Sequence, residues 1–351
     1  MKITTVLGSL LFFLNGFAQD STKLALSAYA EVYYQYDFDN PVSQQRPFFI
    51  YNHKRHNEVN LNLAYLKASY QSSNIRSNLA LMTGNYAQNN LAAEPSMLQH
   101  VYEANIGVKI AKNHNTWIDA GILPSHIGFE SAVAADCWTV GRSIVAENSP
   151  YFETGLKLTH ISKKENLMLA FLVLNGWQRI QKPAGINKPS AGIQLNYKPR
   201  KNVTINYSNF IGSDRPDSLN SIRTYHNLYA IYENGKKWAF TAGLDIGTDK
   251  NINNNYAAWY TPVLIARKPI GKKSTFAARV EYFSDSRQAY ILTGRSGGFN
   301  VSGVSVNVDV AVAHNCLWRT EARYFHSKDK IFKEESQQQN SNLLTTLSIK
   351  F

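Results

Sequence analysis

Arg319, Glu321 and Arg323 stand at every second position, with Trp318, Thr320, Ala322 and Tyr324 around and between them. Side chains two apart share one face of a pleated strand, so this spacing puts three charges on one side and aromatic or small groups on the other. Even spacing recurs at Arg279 and Glu281, at Glu103 and Lys109, and at Glu153 and Lys157. Charges of both signs on one face of several strands suit a water-filled wall that acts on passing ions by electrostatics. They suit equally well a set of mutual ion pairs that only solvates an interior wall. Other chemistry has little support. The 9 His are scattered without a pair at metal-binding spacing, and the 2 Cys form no cluster, so no metal or cofactor is expected. No Gly-x-Ser-x-Gly elbow occurs, His160 and Ser162 are close in sequence but fall at the short-turn end rather than near the lipid face that a barrel lipase would need, and no Lys-bearing helix follows Gly297-Gly298. No catalytic residue is assigned, and no enzyme is expected.

The elements that carry these charges are strands. From Leu24 onward, alternating segments of about ten residues follow one another with turn signals between them. They are placed at 24–37, 59–70, 75–87, 100–110, 115–123, 151–162, 165–175 and 187–198, then 202–212, 222–233, 236–248, 255–267, 274–286, 299–313, 316–327 and 342–351. That makes about sixteen. Short connections near 71–74, 111–114, 163–165, 199–201, 234–235, 268–273 and 314–315 alternate with longer ones. An even strand number with short turns at one end and long loops at the other is the pattern of an outer-membrane barrel, short turns and both termini facing the periplasm. Val304, Val306, Val308, Val310 and Val312 alternate with Ser305, Asn307 and Asp309, as an oil-facing and a water-facing row would. The charged row must face the lumen, because Arg or Lys at the lipid midplane costs about 2–4 kcal/mol. Segment 167–174 is apolar on both faces, which an infolded loop over its inner face would explain.

The last ten residues alternate cleanly and end on Phe351. So apolar an edge would recruit other chains unless it paired, and pairing with the first strand closes a barrel. A final strand ending in Phe looks like the C-terminal signature of bacterial outer-membrane barrel proteins. At the other terminus, Lys2, the apolar run within 6–17 and the small residues Gly16 and Ala18 read as a secretory signal over 1–18, leaving 19–351 as the barrel. The first strand begins within about ten residues of that cut, which leaves no room for a plug domain or an N-terminal hatch.

Composition agrees. Charged residues make up 18% of the chain and aromatics 12%, against roughly 25% charge in soluble domains. No apolar stretch after the signal reaches the roughly 18 residues of a spanning helix. The net charge of +12 does not point to nucleic acid. Lys112, Lys163, Lys164, Lys198, Arg200, Lys201, Lys236, Lys237, Lys268, Lys272 and Lys273 crowd the short turns, with only Glu165 against them, so the excess forms one rim suited to anionic lipid headgroups. Cys137 and Cys316 are placed at opposite ends of the barrel, where no disulfide would form.

Gly121-Ile-Leu-Pro-Ser-His-Ile-Gly-Phe-Glu130, then Arg142-Ser143, then Ser149-Pro-Tyr-Phe-Glu-Thr-Gly155 resembles the OmpL-like type of beta-barrel porin family. The resemblance implies an integral outer-membrane porin, with lipids and small hydrophilic solutes as partners and a homo-oligomer to be weighed. A substrate does not come with it. The block contains a long connection, 124–150, and long loops in compact architectures are usually functional. By analogy with porins this loop is expected to fold into the lumen and narrow it, with Glu130, Asp136 and Arg142 joining the strand charges in the constriction. His126 is expected to serve as a hydrogen-bonding loop residue. The reading is therefore all-β: an up-and-down antiparallel transmembrane barrel passing small hydrophilic solutes or ions, with weak ion selectivity because its charges are mixed. The alternative is a barrel acting as a surface-binding or adhesion platform through Phe48, Phe49 and Tyr51. A lipid-active barrel enzyme is the weaker rival.

Overall fold

The computed structural model describes residues 23–235, 237–251 and 253–351. The expected signal at 1–18, and Lys236 of the basic rim, lie outside the described residues. The first half of the chain forms β1 (Lys23–Asp37), β2 (Val59–Gln71), β3 (Ile75–Thr83), β4 (Val101–Lys109), β5 (Asn115–Pro124), β6 (Phe152–Ile161), β7 (Leu167–Leu174) and β8 (Ser190–Arg200). The second half forms β9 (Val203–Gly212), β10 (Arg223–Tyr232), β11 (Ala239–Lys250), β12 (Tyr256–Pro269), β13 (Ser274–Asp285), β14 (Phe299–Ala313), β15 (Cys316–Ser327) and β16 (Gln339–Lys350). Two short helices, α1 (Asn85–Asn90) and α2 (Ile144–Asn148), lie in the connections.

Each strand pairs with its neighbours in sequence, and β1 closes on β16, so the 16-stranded sheet has no free edge. The closing register runs antiparallel from Tyr29 opposite Lys350 to Asp37 opposite Asn342. Beyond it, the amide of Phe351 donates to the Ala28 carbonyl at 2.9 Å. The apolar terminal strand thus finds its partner within the same chain.

Alternation sorts the two faces as a membrane wall requires. Val304, Val306 and Val308 are exposed on the outside, while Ser305, Asn307 and Asp309 between them are buried inside. Trp318 and Tyr324 face outward, and Arg319, Glu321 and Arg323 face inward. β7 carries Leu169, Phe171 and Val173 outward, and its inward Ala170, Leu172 and Leu174 pack with Ile127, Ile144 and Trp177 from two connections. A folded-in loop does cover the inner face of this all-apolar strand. Full burial of a side chain such as Leu172 is worth roughly 1.5–3 kcal/mol.

One end of the barrel carries the turns 72–74, 110–114, 162–166, 201–202, 233–238, 270–273 and 314–315, and the other carries the loops. The described cations of the basic rim are exposed at the turn end. Loop 251–255 is no longer than turn 110–114, because β11 and β12 continue to its edges instead of fraying. β3 stops at Thr83 rather than reaching 87. Gly84 takes φ +117° with the Asn62 carbonyl oxygen 2.5 Å from where a Cβ would be, so the backbone turns inward there and starts α1.

Candidate functional site

The lumen is occupied by loop 125–151, which enters after Pro124 and crosses to the far wall. His126 spans the first gap: its Nδ1 lies 2.6 Å from Glu153 Oε2 on β6, and its Nε2 lies 2.7 Å from the Asn209 carbonyl on β9. The Gly128 amide donates to Asn227 Oδ1 on β10 at 3.2 Å. Phe129 then packs edge-on against Tyr229 at 5.6 Å, over Gly243 of β11.

The loop next meets the charged wall of β13–β15. Arg279 Nη1 donates to the Gly141 carbonyl at 2.6 Å and to Thr139 Oγ1 at 2.7 Å, while its Nη2 donates to Glu321 Oε1 at 2.8 Å. Glu321 in turn accepts from the Gly141 amide. Glu281 accepts from the Ile144 amide at 2.6 Å and from Arg323 Nη2 at 2.6 Å, and Arg323 Nη1 donates to the Arg142 carbonyl at 2.8 Å. Lower on the wall, Arg319 pairs with Asp309 at 2.6 Å and donates to the carbonyls of Cys137, at 3.0 Å, and of Ala134. Irregular backbone cannot satisfy its own amides and carbonyls as a strand does, and here the wall charges satisfy them.

Within the loop, the Arg142 guanidinium donates to the carbonyls of Ser131, at 2.9 Å, Val140, at 2.8 Å, and Ala132. Glu130 accepts from the Ser143 amide at 3.0 Å and lies 3.7 Å from Arg279. Burial pushes the Glu130 carboxyl upward, opposed by the Arg279 charge. Ser143 caps α2 by accepting from the Ala146 amide at 3.3 Å. Glu147 at the far end of α2 accepts from the amides of Tyr51, at 2.8 Å, and Asn52, at 3.0 Å, tying in loop 38–58.

Most of the expected constriction residues therefore converge. Glu130, Arg142, Arg279, Glu281, Arg319, Glu321 and Arg323 form one buried network between loop and wall. Asp136 meets Lys350 near the turn end. Glu153 belongs to the His126 crossing, and Glu103 on β4 pairs with Lys67 on β2 at 2.5 Å. Lys109, near turn 110–114, and half-buried Lys157 form no ion pair among the described residues. His126 acts as the hydrogen-bonding loop residue its position suggested. Thr139, Gly141 and Glu147 were missed, since nothing in their local pattern marks them. Lys67, Arg76 and Asp119 were missed too, although all three stand at inward strand positions.

Two placements differ from expectation. Cys137 lies in the turn half of the barrel with Cys316, not at the opposite end, because the loop runs down the lumen until Asp136 reaches Lys350. Both thiols are free, and burial pushes that of Cys137 up to about 11. Phe49, expected at the surface to engage a partner, is fully buried among Phe299, Phe325 and Phe332, because loop 38–58 also folds inward.

Above this filling, at the loop end, is a chamber of about 300 Å³ lined by Asn89, Trp177, Arg223 and Tyr290, among others. Below it, at the turn end, is one of about 680 Å³ lined by Asp136, Cys137, Trp138, Arg267 and Lys272.

No curated protein matches the sequence. Among solved structures, the anion-selective porin from Comamonas acidovorans superposes with a TM-score of 0.62 at 8% identity, covering 94% of this chain and 100% of its own. OmpF of Salmonella typhi in complex with daunomycin gives a TM-score of 0.62 at 11% identity, with 95% and 99% covered. The trimer form of OmpT, an outer membrane protein of Vibrio cholerae, gives 0.59 at 9% identity, with 95% and 100% covered. These likenesses establish the fold. The family model described as "Putative beta-barrel porin-2, OmpL-like" matches residues 23–351, and the chain belongs to that family of integral outer-membrane β-barrels.

Proposed function

We propose that the chain is a passive diffusion channel for small hydrophilic solutes and ions, in which loop 125–151 forms the constriction. The observation that carries this reading is the loop itself, held across the lumen of a closed 16-stranded barrel by buried charges, with a chamber on either side. Barrels of about this strand number enclose an aqueous channel unless something fills them. The lumen charges are largely consumed in ion pairs of both signs, which supports weak selectivity between cations and anions. Short turns and both termini face the periplasm in this reading, a signal over 1–18 is removed on export, and no reaction is catalysed. The trimer form of OmpT supports a homo-oligomer.

Planar-bilayer recording on the purified, folded protein tests the channel. Stepwise conductance is expected, with a reversal-potential selectivity below about tenfold for either ion sign. Silence from the wild type together with silence from variants that free the loop would overturn it.

A further inference from the structure

We infer that the chamber at the turn end is a binding site for small, doubly charged oxyanions of the phosphate type, taken up as free solutes. This deepens the channel reading by naming a solute class and rests on it for its meaning in transport, though binding itself can be measured without conduction. The chamber lies beneath the tip of loop 125–151, which supplies Asp136, Cys137 and Trp138. Its wall comes from the turn ends of β12 to β15 and from the turns 233–238 and 270–273. Its volume, about 680 Å³, lies within the roughly 300–1,000 Å³ of ligand pockets.

Charge in this lining does not cancel as it does in the constriction. Asp309 accepts from Arg319 through both oxygens, at 2.6 and 3.2 Å, and Asp136 is paired with Lys350. Both carboxylates are therefore spent on cations. The Cys137 thiol turns back into its own loop, donating to the Ser131 carbonyl at 3.4 Å. Arg267, Lys272 and Lys273 form no ion pair among the described residues. Three unspent cations thus face one unspent carboxylate, Glu233.

Arg267 is the centre of the site. It projects inward from β12, half-buried, with its guanidinium 6.0 Å from the centre of the Trp138 ring. An aromatic face positions a guanidinium without neutralising it. Its Nε is enclosed, whereas the two terminal nitrogens are unpartnered among the described residues and open to the chamber. That planar fork matches two oxygens of one oxyanion. Lys272 and Lys273 are exposed on their turn at the chamber's edge, and Glu233 is equally exposed, so salt screens all three alike. A cation is repelled by this lining, and a neutral solute leaves its charge uncompensated. A halide or monocarboxylate offsets one charge, while a dianion matches the whole excess. A phospholipid diester carries one charge and lies outside the wall, whereas Arg267 points into the lumen. Selectivity between monovalent ions stays weak, because the constriction above holds balanced pairs; the chamber distinguishes valence.

Isothermal titration calorimetry of the purified, folded protein provides the test, in maltoside micelles and a mildly alkaline chloride buffer where phosphate is mainly a dianion. Saturable binding of inorganic phosphate is expected, with acetate and nitrate at least threefold weaker. Arg267→Gln, and separately Lys272→Gln combined with Lys273→Gln, are each expected to weaken phosphate at least threefold, with folding checked by heat-shifted gel mobility. Lys112→Gln combined with Lys163→Gln removes as much charge as the lysine pair from turns outside the lining, and is expected to leave the affinity unchanged. No saturable binding, equal or tighter binding of acetate or nitrate, unchanged affinity in both folded lining variants, or an equal loss in the rim variant overturns the site. Displacement of bound phosphate by equimolar dihexanoyl phosphatidylglycerol would assign the site to lipid headgroups and overturn it as a solute site. Conductance measured on the same preparations tells the two ideas apart: a conducting protein that ignores phosphate removes this inference alone. A protein that binds phosphate but stays silent, with its loop-release variants silent too, removes the channel.

Discussion

Arg279 and Glu321 sit two strands apart on the inner wall, 2.8 Å from each other, and the two close on the same residue of the infolded loop. Arg279 donates to the carbonyl of Gly141, and Glu321 accepts its amide. Neither side chain is exposed to water. Breaking one partner of such a buried pair costs roughly 3–5 kcal/mol, because the remaining charge is stranded. The wall itself is held by strand pairing on both sides, so the loop is the part free to yield. Glu321→Gln and Arg279→Met are each expected to raise single-channel conductance at least twofold with the barrel still closed. Bilayer recording beside heat-shifted gel mobility measures both, and unchanged conductance in a folded variant would show that the network does not hold the constriction.

The same release has a chemical signature. Cys137 is buried, its carbonyl held by Arg319 at 3.0 Å, and burial lifts its thiol to about 11, so little reactive thiolate exists at neutral pH. In a Cys316→Ser background, maleimide labelling of the native protein is expected to be at least tenfold slower than after unfolding. Adding Glu321→Gln is expected to recover much of that rate. Fast labelling in the starting background would mean that the loop does not rest where Arg319 holds it.

A third expectation concerns pH. Lys54 of loop 38–58 donates to the carbonyls of Ile50, at 2.7 Å, and Pro47, at 3.0 Å, and burial draws its ammonium down from 10.5 to about 8. A lysine whose folded pKa is depressed binds fewer protons folded than unfolded between those two values. Stability of the docked loop therefore rises with pH across about 8 to 10.5 and is lower, by a constant amount, below that window. Hydrogen exchange of the amides in 45–56 should report protection, after correction for intrinsic rate, that grows from pH 8 to pH 10. Lys54→Met should flatten the trend, and an equal trend in that variant would assign it to another group.

Strand count, closure and facing were legible because each rests on a local rule. A two-residue period reveals a face, Gly and polar clusters reveal turns, and the apolar 342–351 strand needs a partner. The charges of β13–β15 were legible as inward for the same reason. Their roles were not, because a period says where Arg279 points and nothing about what fills the space in front of it. Loop 125–151 has no periodicity of its own, and its path depends on Asn209, Gly141 and Arg319, far apart in sequence. Phe49 shows the limit most plainly: an aromatic residue in a long loop looks like surface until β14, β15 and the loop after them supply three rings to bury it.

Two glycines allow the wall and the constriction to be tested apart. Gly243 faces inward on β11, and a Cβ there would lie 2.7 Å from Phe129 Cε1, so its bare backbone is the seat for that ring. Gly243→Val would fill the seat and push the loop away without touching strand pairing. Overpacking of this kind costs typically 1–3 kcal/mol, which the loop can relieve by moving. Gly121 on β5 differs, since its φ is +126° and a Cβ would collide with the Ala104 carbonyl, within the sheet itself. Gly121→Ala must strain the β4–β5 pairing, which no loop movement relieves. Gly243→Val is therefore expected to change conductance at normal yield and gel mobility. Gly121→Ala is expected to lower folded yield, while the molecules that do fold conduct as the wild type does. If the two variants behaved alike, in yield or in current, the loop could not be a separable constriction seated on a rigid wall.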